Sequence, residues 1–209
     1  SHNGPEYNGL KIMLGGNTLS EDKILELRET IIKGEFSSEN GNVTIEEILP
    51  EYVRRITEDI PVAFGHSYKL VIDCGNGAAS VMASQLYNAM GHDVVDLYCE
   101  LDGNFPNHHP DPSQPENLKD LIDKVKETGA DLGFAFDGDG DRLGLVDANG
   151  DVLWPDRQMM VFARDVLSRN QGAEIIFDVK SSKHLKTVIE SNGGKPLMWK
   201  TGHSLIKSK

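Results

Sequence analysis

The chain has 209 residues, enough for one or two domains of ordinary size, and its 38% hydrophobic content with 21 Gly and 9 Pro argues against a disordered or collagenous protein. Thirty-three Asp and Glu against 21 Lys and Arg leave a net charge of −12, which argues against nucleic acid or an anionic membrane as partner. No run reaches the ~18 apolar residues of a membrane span, no charged-then-apolar leader is visible, and the apolar surroundings of Cys74 and Cys99 suit reduced thiols, so a soluble, cytoplasmic protein is expected.

The chain starts at Ser1 in a turn-like stretch and stops at "LIKSK", soon after a new helix would begin, and so reads as an internal fragment. The stretch "LKIML" is strand-like, and "SEDKILELRETIIKGEF" predicts a helix capped by Ser20, with Leu and Ile at three- and four-residue spacing. A second helix is predicted in "TIEEILPEYVRRITEDI", with Thr44 as N-cap, Glu47 completing a capping box and Pro50 in or kinking its first turns.

From Lys69 the pattern alternates. The strand "KLVID", the turn "CGNGA", an apolar helix over residues 80–90, Gly91 as a stop and the strand "DVVDLY" make a βαβ unit. A Pro- and Asn-rich loop leads to the amphipathic helix "LKDLIDKVKETG" and the strands "ADLGFAF" and "LGLVD", joined through an aspartate cluster. After the hairpin turn "ANGD" a second alternation follows: helix "DRQMMVFARDVLSRN", strand "EIIFDV", helix "SSKHLKTVIESNG", strand "KPLMWK" and the helix start "HSLIK". The pattern predicts tandem α/β domains, with the first fifty or so residues as the tail of another.

The segment "GFAFDGDGDRLGLVD" carries the most chemistry. On a straight strand Asp137 and Asp141 would stand roughly 13 Å apart, too far to share an ion, so the loop must curl about Gly138 and Gly140. Three converging carboxylates repel unless a cation joins them, and an all-oxygen donor set suits Mg2+. One formal negative charge would remain, and Arg142 is the adjacent cation able to offset it and a bound phosphate. A calcium loop does not fit: counted from Asp137, the Gly expected at position six is Arg142 and the Glu expected at position twelve is Ala148. A merely solvated acidic turn is the plain alternative.

"FAFDGDGDRLGLVD", together with "SHNGPEYNGLK", "VIDCGNGAAS", "GNFPNHHPDPSQPENL", "IIFDVK" and "WKTGHSLIK", resembles the α-D-phosphohexomutase superfamily, in its phosphomannomutase/phosphoglucomutase branch, over essentially the whole chain. The resemblance implies a fragment of a four-domain protein, with tandem three-layer α/β/α domains and mixed sheets. Residues 1–43 would end the first domain and carry the serine loop, 44–150 would be the second with the metal loop, and 151–209 would begin the third. It further implies a phosphoserine at Ser1, with His2 beside it and Lys11 and Arg142 neutralising its phosphate. Mg2+ would be held by Ser1, Asp137, Asp139 and Asp141, while Lys180, Thr201, Gly202 and His203 would face the sugar phosphate. The implied reaction interconverts hexose 6-phosphate and hexose 1-phosphate, of mannose or glucose, through a sugar 1,6-bisphosphate, in a protein that is monomeric when full length. His203 or Lys180 would move the hydroxyl proton. Where the family has Pro after the Asn of the serine loop, this chain has Gly4 and then Pro5, which loosens the turn.

Plainer readings stand beside these. Ser1 alone is a turn residue or an amine-assisted nucleophile, Lys11 and Lys180 alone are solvated flanks, and an Asp of the cluster can serve as the nucleophile of a phosphatase or phosphotransferase. His108 and His109 lack a third nitrogen partner and read as loop-structuring residues, and "CGNGAAS" lacks the dinucleotide spacing and reads as a packing turn for close helix–strand approach.

Overall fold

The computed structural model describes residues 6–7, 9–10, 12–19, 22–34, 36–39, 41–59, 66–207 and 209. Two compact units are present, one built mainly from Glu47–Phe162, the other from Gly9–Glu46 with Ala163–Lys209.

The first unit contains a five-stranded mixed sheet. Its strands are β3 (Lys69–Asp73), β4 (Asp93–Leu97), β5 (Leu132–Phe136), β6 (Leu143–Asp147) and β7 (Val152–Leu153), in the order β4-β3-β5-β6-β7. β3 runs parallel to β4 and β5, whereas β5, β6 and β7 are successively antiparallel. The central strand β3 is a continuous apolar run, as a strand covered on both faces requires, and Leu70, Val71 and Ile72 are buried.

Because side chains alternate along a strand, the run divides between two cores. Val71, Ala135 and Val146 meet Leu121 and Val125 of α4 (Lys119–Thr128), while Leu70, Ile72 and Phe134 pack with Ala83 and Tyr87 of α3 (Ala83–Ala89). The sheet is therefore the middle layer of three. α4 ends where expected, on Gly129 in the left-handed conformation with φ 63°.

In the second unit β8 (Glu174–Phe177) and β9 (Lys195–Met198) are parallel, and α6 (Lys183–Ser191) crosses between them with Leu185 and Ile189 fully buried. Ser182 caps α6 by accepting from the His184 N–H. α5 (Pro155–Arg169) divides between the units, and α7 (His203–Lys207) follows β9. The same unit holds the two-residue strands β1 (Met13–Leu14) and β2 (Asn17–Thr18), which pair antiparallel, and α1 (Asp22–Lys33). Among its described residues α1 buries none, and Leu25, Ile31 and Ile32 are exposed.

Three local expectations need correction. Among the described residues of "LKIML", only Met13–Leu14 (β1) are strand. The helix predicted with Thr44 as its N-cap starts four residues late, as α2 (Leu49–Asp59), so the Thr44–Glu47 capping box does not form. Pro50 disfavours helical backbone in the residue before it, and lacking an N–H it fits a first turn, which is where it stands. The helix expected over 80–90 is broken: a 3-10 turn at Ala78–Val81 meets α3 at Met82, whose φ of −145° is not helical. The predicted cap at Ser20 lies outside the described residues.

Candidate functional site

The aspartate cluster is the connection between the antiparallel strands β5 and β6. The loop is closed by its own ends: the Asp137 N–H donates to the Arg142 carbonyl at 3.2 Å, and the Gly140 N–H donates to the Asp137 carbonyl at 2.9 Å. The curl expected of two glycines is delivered in left-handed backbone by Gly140 alone, with φ 73°. One oxygen from each of Asp137, Asp139 and Asp141 lies within 4.8 Å of the others.

The three carboxylates differ in exposure. Asp137 is fully buried, Asp139 half-buried and Asp141 exposed. Asp137 is matched by Arg142, whose backbone N–H donates to Oδ1 at 2.9 Å and whose Nε donates to Oδ2 at 2.7 Å. Arg142 Nη1 also donates to Asp111 Oδ1 at 3.1 Å, so the guanidinium bridges two acids from different loops. Burial pushes the Asp111 carboxyl up, but the Ser113 hydroxyl and N–H and the Arg142 charge outweigh it and hold the group below the usual carboxylate range.

This arrangement fits a hard divalent ion. All donors are oxygens. Each Asp137 oxygen keeps a lone pair beyond the one Arg142 uses. The spread is close to the ~4.2 Å between opposite ligands of an octahedral ion with ~2.1 Å bonds. The solvated-turn alternative is disfavoured by the complete burial of Asp137. Among the described residues no other group of three or more His, Cys, Asp or Glu forms such a cluster. The Cys74 and Cys99 thiols are free, 3.1 Å apart at their sulphurs, and the Cys99 contact with burial pushes Cys74 up.

Two other loops hold this one. Gly138 donates its N–H to the Pro110 carbonyl at 3.1 Å and accepts from the Ala78 N–H at 3.0 Å. A Cβ on Gly77 would stand 2.9 Å from the Gly138 oxygen, and one on Gly75 would stand 2.9 Å from Pro110 Cβ. The glycines of "CGNGAAS" thus make room for neighbouring loops, a correction of the helix–strand packing expected for them. Asn76, left-handed at φ 59°, bonds with all its polar groups. It donates to the Tyr98 and Glu100 carbonyls at 2.8 and 2.7 Å, and accepts from Asn107 Nδ2 and the Asp102 N–H at 2.7 and 3.0 Å. Asp73, at the end of β3, accepts from the Gly75 N–H at 2.9 Å and faces His108 Nε2 at 3.1 and 3.2 Å. The Asp73 hydrogen bond pushes the His108 imidazole above its ordinary pKa against the opposing effect of burial. Loop structuring by His108 is as the sequence suggested. Asp73, Asn76 and Asp111 were missed there, although a carboxylate ending the apolar run "LVID" is a signal that could have found the first.

In the second unit Lys180 and Thr201 are brought together by a residue the sequence reading passed over, Asp178. Its Oδ1 accepts from the Lys180 N–H at 3.0 Å, its Oδ2 accepts from the Thr201 hydroxyl at 3.0 Å, and Lys180 Nζ stands 4.0 Å from the same Oδ2. Lys180 itself points to solvent, 74% exposed. Gly202 has φ 131°, and His203 opens α7, its side chain lying outside the described residues. Ser1, His2 and Lys11 also lie outside them.

Family models match both units. Phosphoglucomutase/phosphomannomutase α/β/α domain II matches residues 50–150, and domain III of the same family matches 154–209. Among curated relatives, a phosphomannomutase/phosphoglucomutase of Pseudomonas aeruginosa is 57% identical over the whole chain, and a phosphoglucomutase of Neisseria meningitidis is 50% identical. The chain spans 45% of the length of each. A crystal structure of a phosphoglucomutase/phosphomannomutase family protein from Burkholderia thailandensis superposes with a TM-score of 0.93 at 50% identity, over 99% of this chain and 45% of that one. A second, described as a phosphomannomutase of Thermus thermophilus, shares the fold at 18% identity with a TM-score of 0.73, over 92% of this chain and 45% of its own. With a buried-aspartate loop of the expected composition inside the first matched domain, the chain belongs to the phosphoglucomutase/phosphomannomutase family.

Proposed function

We propose that this chain carries the metal loop and part of the sugar-phosphate site of a Mg2+-dependent phosphohexomutase interconverting hexose 6-phosphate and hexose 1-phosphate, of mannose or glucose. The observation that carries the reading is the convergence of Asp137, Asp139 and Asp141 within 4.8 Å beside an arginine already bonded to one of them. Names of relatives at 50% identity or more, phosphomannomutase/phosphoglucomutase and phosphoglucomutase, support the sugar class. The matches at 50–150 and 154–209 support a division at 1–43, 44–150 and 151–209 into parts of three domains.

Asp137, Asp139 and Asp141, with the phosphate on Ser1, would hold Mg2+, which when bound withdraws charge from the phosphoryl group. The rest falls to side chains. Arg142 and Lys11 neutralise the serine phosphate, His2 flanks it, and Lys180, Thr201, Gly202 and His203 bind the sugar phosphate, with His203 or Lys180 taking the hydroxyl proton. Phosphoryl transfer demands positioning and charge stabilisation above all. The phosphate of Ser1 passes to one sugar hydroxyl, giving a 1,6-bisphosphate that turns over and returns its other phosphate to Ser1. The parent protein is proposed to act as a cytoplasmic monomer. No described helix is long and apolar enough to cross a membrane.

Labelling the full-length parent with a 1,6-bisphosphosugar tests the reading: phosphate should map to Ser1, and Ser1→Ala should abolish the phosphoenzyme. Label on Asp137 instead would favour a phosphatase or phosphotransferase. The isolated chain is expected to bind Mg2+ weakly and to show no turnover.

A further inference from the structure

We propose that Asp73 and His108 are positioning residues for the aspartate loop, acting through Gly138. The inference rests on reading that loop as a divalent-cation site, and it concerns residues that supply no ligand to it.

Asp73 is fully buried and His108 is 14% exposed at its side chain. His108 Nε2 meets both Asp73 oxygens at 3.1 and 3.2 Å, and Nδ1 stands 3.0 Å from the His109 carbonyl. A neutral imidazole donates from one nitrogen only. With an acceptor at each, the ring satisfies both only as imidazolium, and in that form the pair is a carboxylate–imidazolium ion pair. Tyr98 packs edge-on against the ring, with centroids 5.5 Å apart. The Tyr98 hydroxyl donates to Asp120, so the aromatic wall of the pair is itself fixed.

The pair joins two backbone segments. Asp73 holds the turn that follows β3 through the Gly75 N–H, and His108 belongs to the loop that leads to Pro110. Each segment supplies one hydrogen bond to Gly138: Ala78 donates to its carbonyl, and Pro110 accepts from its N–H. Gly138 stands between Asp137 and Asp139. Fixing its N–H and its carbonyl fixes the two peptide planes on either side, and with them the directions in which those carboxylates leave the backbone. Gly75 and Gly77 admit no Cβ against Pro110, His108 and Gly138, so the segments are pressed together with little slack.

Stability alone does not account for such a pair, because a buried ion pair is commonly no more stabilising than apolar residues of the same volume. What it supplies is direction. Two segments tied to one carboxylate cannot shift independently, so the Gly138 peptides keep one orientation whether or not a cation is present.

The test is Mn2+ binding to this chain, followed by the loss of the free-ion electron paramagnetic resonance signal, with thermal unfolding measured alongside. His108→Ala and Asp73→Asn should each weaken Mn2+ binding about tenfold, the lower end for outer-shell partners of a metal site. His108→Gln, which keeps a donor toward Asp73, should recover binding to within about threefold of wild type. Val125→Ala, on the buried face of α4, should lower the unfolding temperature yet leave Mn2+ affinity unchanged. Wild-type affinity in His108→Ala and Asp73→Asn, or equal weakening in Val125→Ala, would overturn the inference. Should His108→Ala not fold, Asp73→Asn and His108→Gln carry the same decision. Failure of the wild-type chain to bind Mn2+ at all would instead sink the cation reading, and this inference with it.

Discussion

The loop at Asp137 and the pair of loops at Asp178 perform the same structural task in opposite ways. The first has a fully buried carboxylate, an arginine spanning two acids and bonds from two further loops to a single glycine. The second rests on one carboxylate joining Lys180 to Thr201, with the lysine head 74% exposed. The contrast matches what each would hold. A small ion tolerates little error in the position of its oxygens, so its ligands are fixed beforehand. A phosphate met by a long lysine can be reached over a wider range of geometries.

That contrast can be broken by substitution. Asp137→Asn should have the largest effect, weakening Mn2+ affinity on the order of 100-fold by removing a ligand charge and freeing Arg142. An affinity within threefold of wild type would mean Asp137 is no ligand. Gly77→Ala should follow, because its Cβ would stand 2.9 Å from the Gly138 oxygen. A loss of about 2 kcal/mol in urea unfolding is expected, the middle of the range for overpacking, with weaker Mn2+ binding. Arg142→Lys offers one ammonium where Nε and Nη1 serve different carboxylates, and a loss of about 1 kcal/mol is expected from the same measurement, reduced because the arginine is partly exposed.

Asp178→Ala should act locally. Amide exchange at Lys180 should speed up, while global stability falls by less than about 1 kcal/mol and Mn2+ affinity stays as it was. A global loss as large as that of Gly77→Ala would erase the distinction between the regions.

The smallest effect is expected from pH. His108, raised by Asp73 and also influenced by the charge of Asp120, contributes stability that is complete below the ordinary imidazole pKa and is lost as pH rises through its folded value. The gap in unfolding temperature between wild type and His108→Gln should therefore be widest in mildly acidic solution and close on the alkaline side. A gap that widens with pH would show that the imidazolium is not the folded form.

Elements written by local periodicity were recovered from the sequence: β3, β4, the α4 pattern ending on Gly129, the strands β5 and β6, and the α/β alternation after Pro155. The aspartate loop was visible for the same reason, since its ligands and Arg142 are neighbours in sequence. What escaped depends on distant partners. Nothing near Gly77 says that Gly138 passes beside it. Nothing near Asn76 announces that its side chain joins Glu100 to Asn107. The Thr44–Glu47 capping box failed where two local signals competed and Pro50 set the helix start.

The distance along the chain between the partners of each ion pair also separates them in time. Asp137 and Arg142 are five residues apart and close a short loop, whereas Asp73 and His108 are thirty-five apart and must wait for β3, α3 and β4 to assemble. Closing the longer loop costs more chain entropy and comes later. On a refolding time course the carboxylates should gather early and acquire their aim last. Stopped-flow measurements on His108→Gln should accordingly show faster unfolding with the folding rate nearly unchanged.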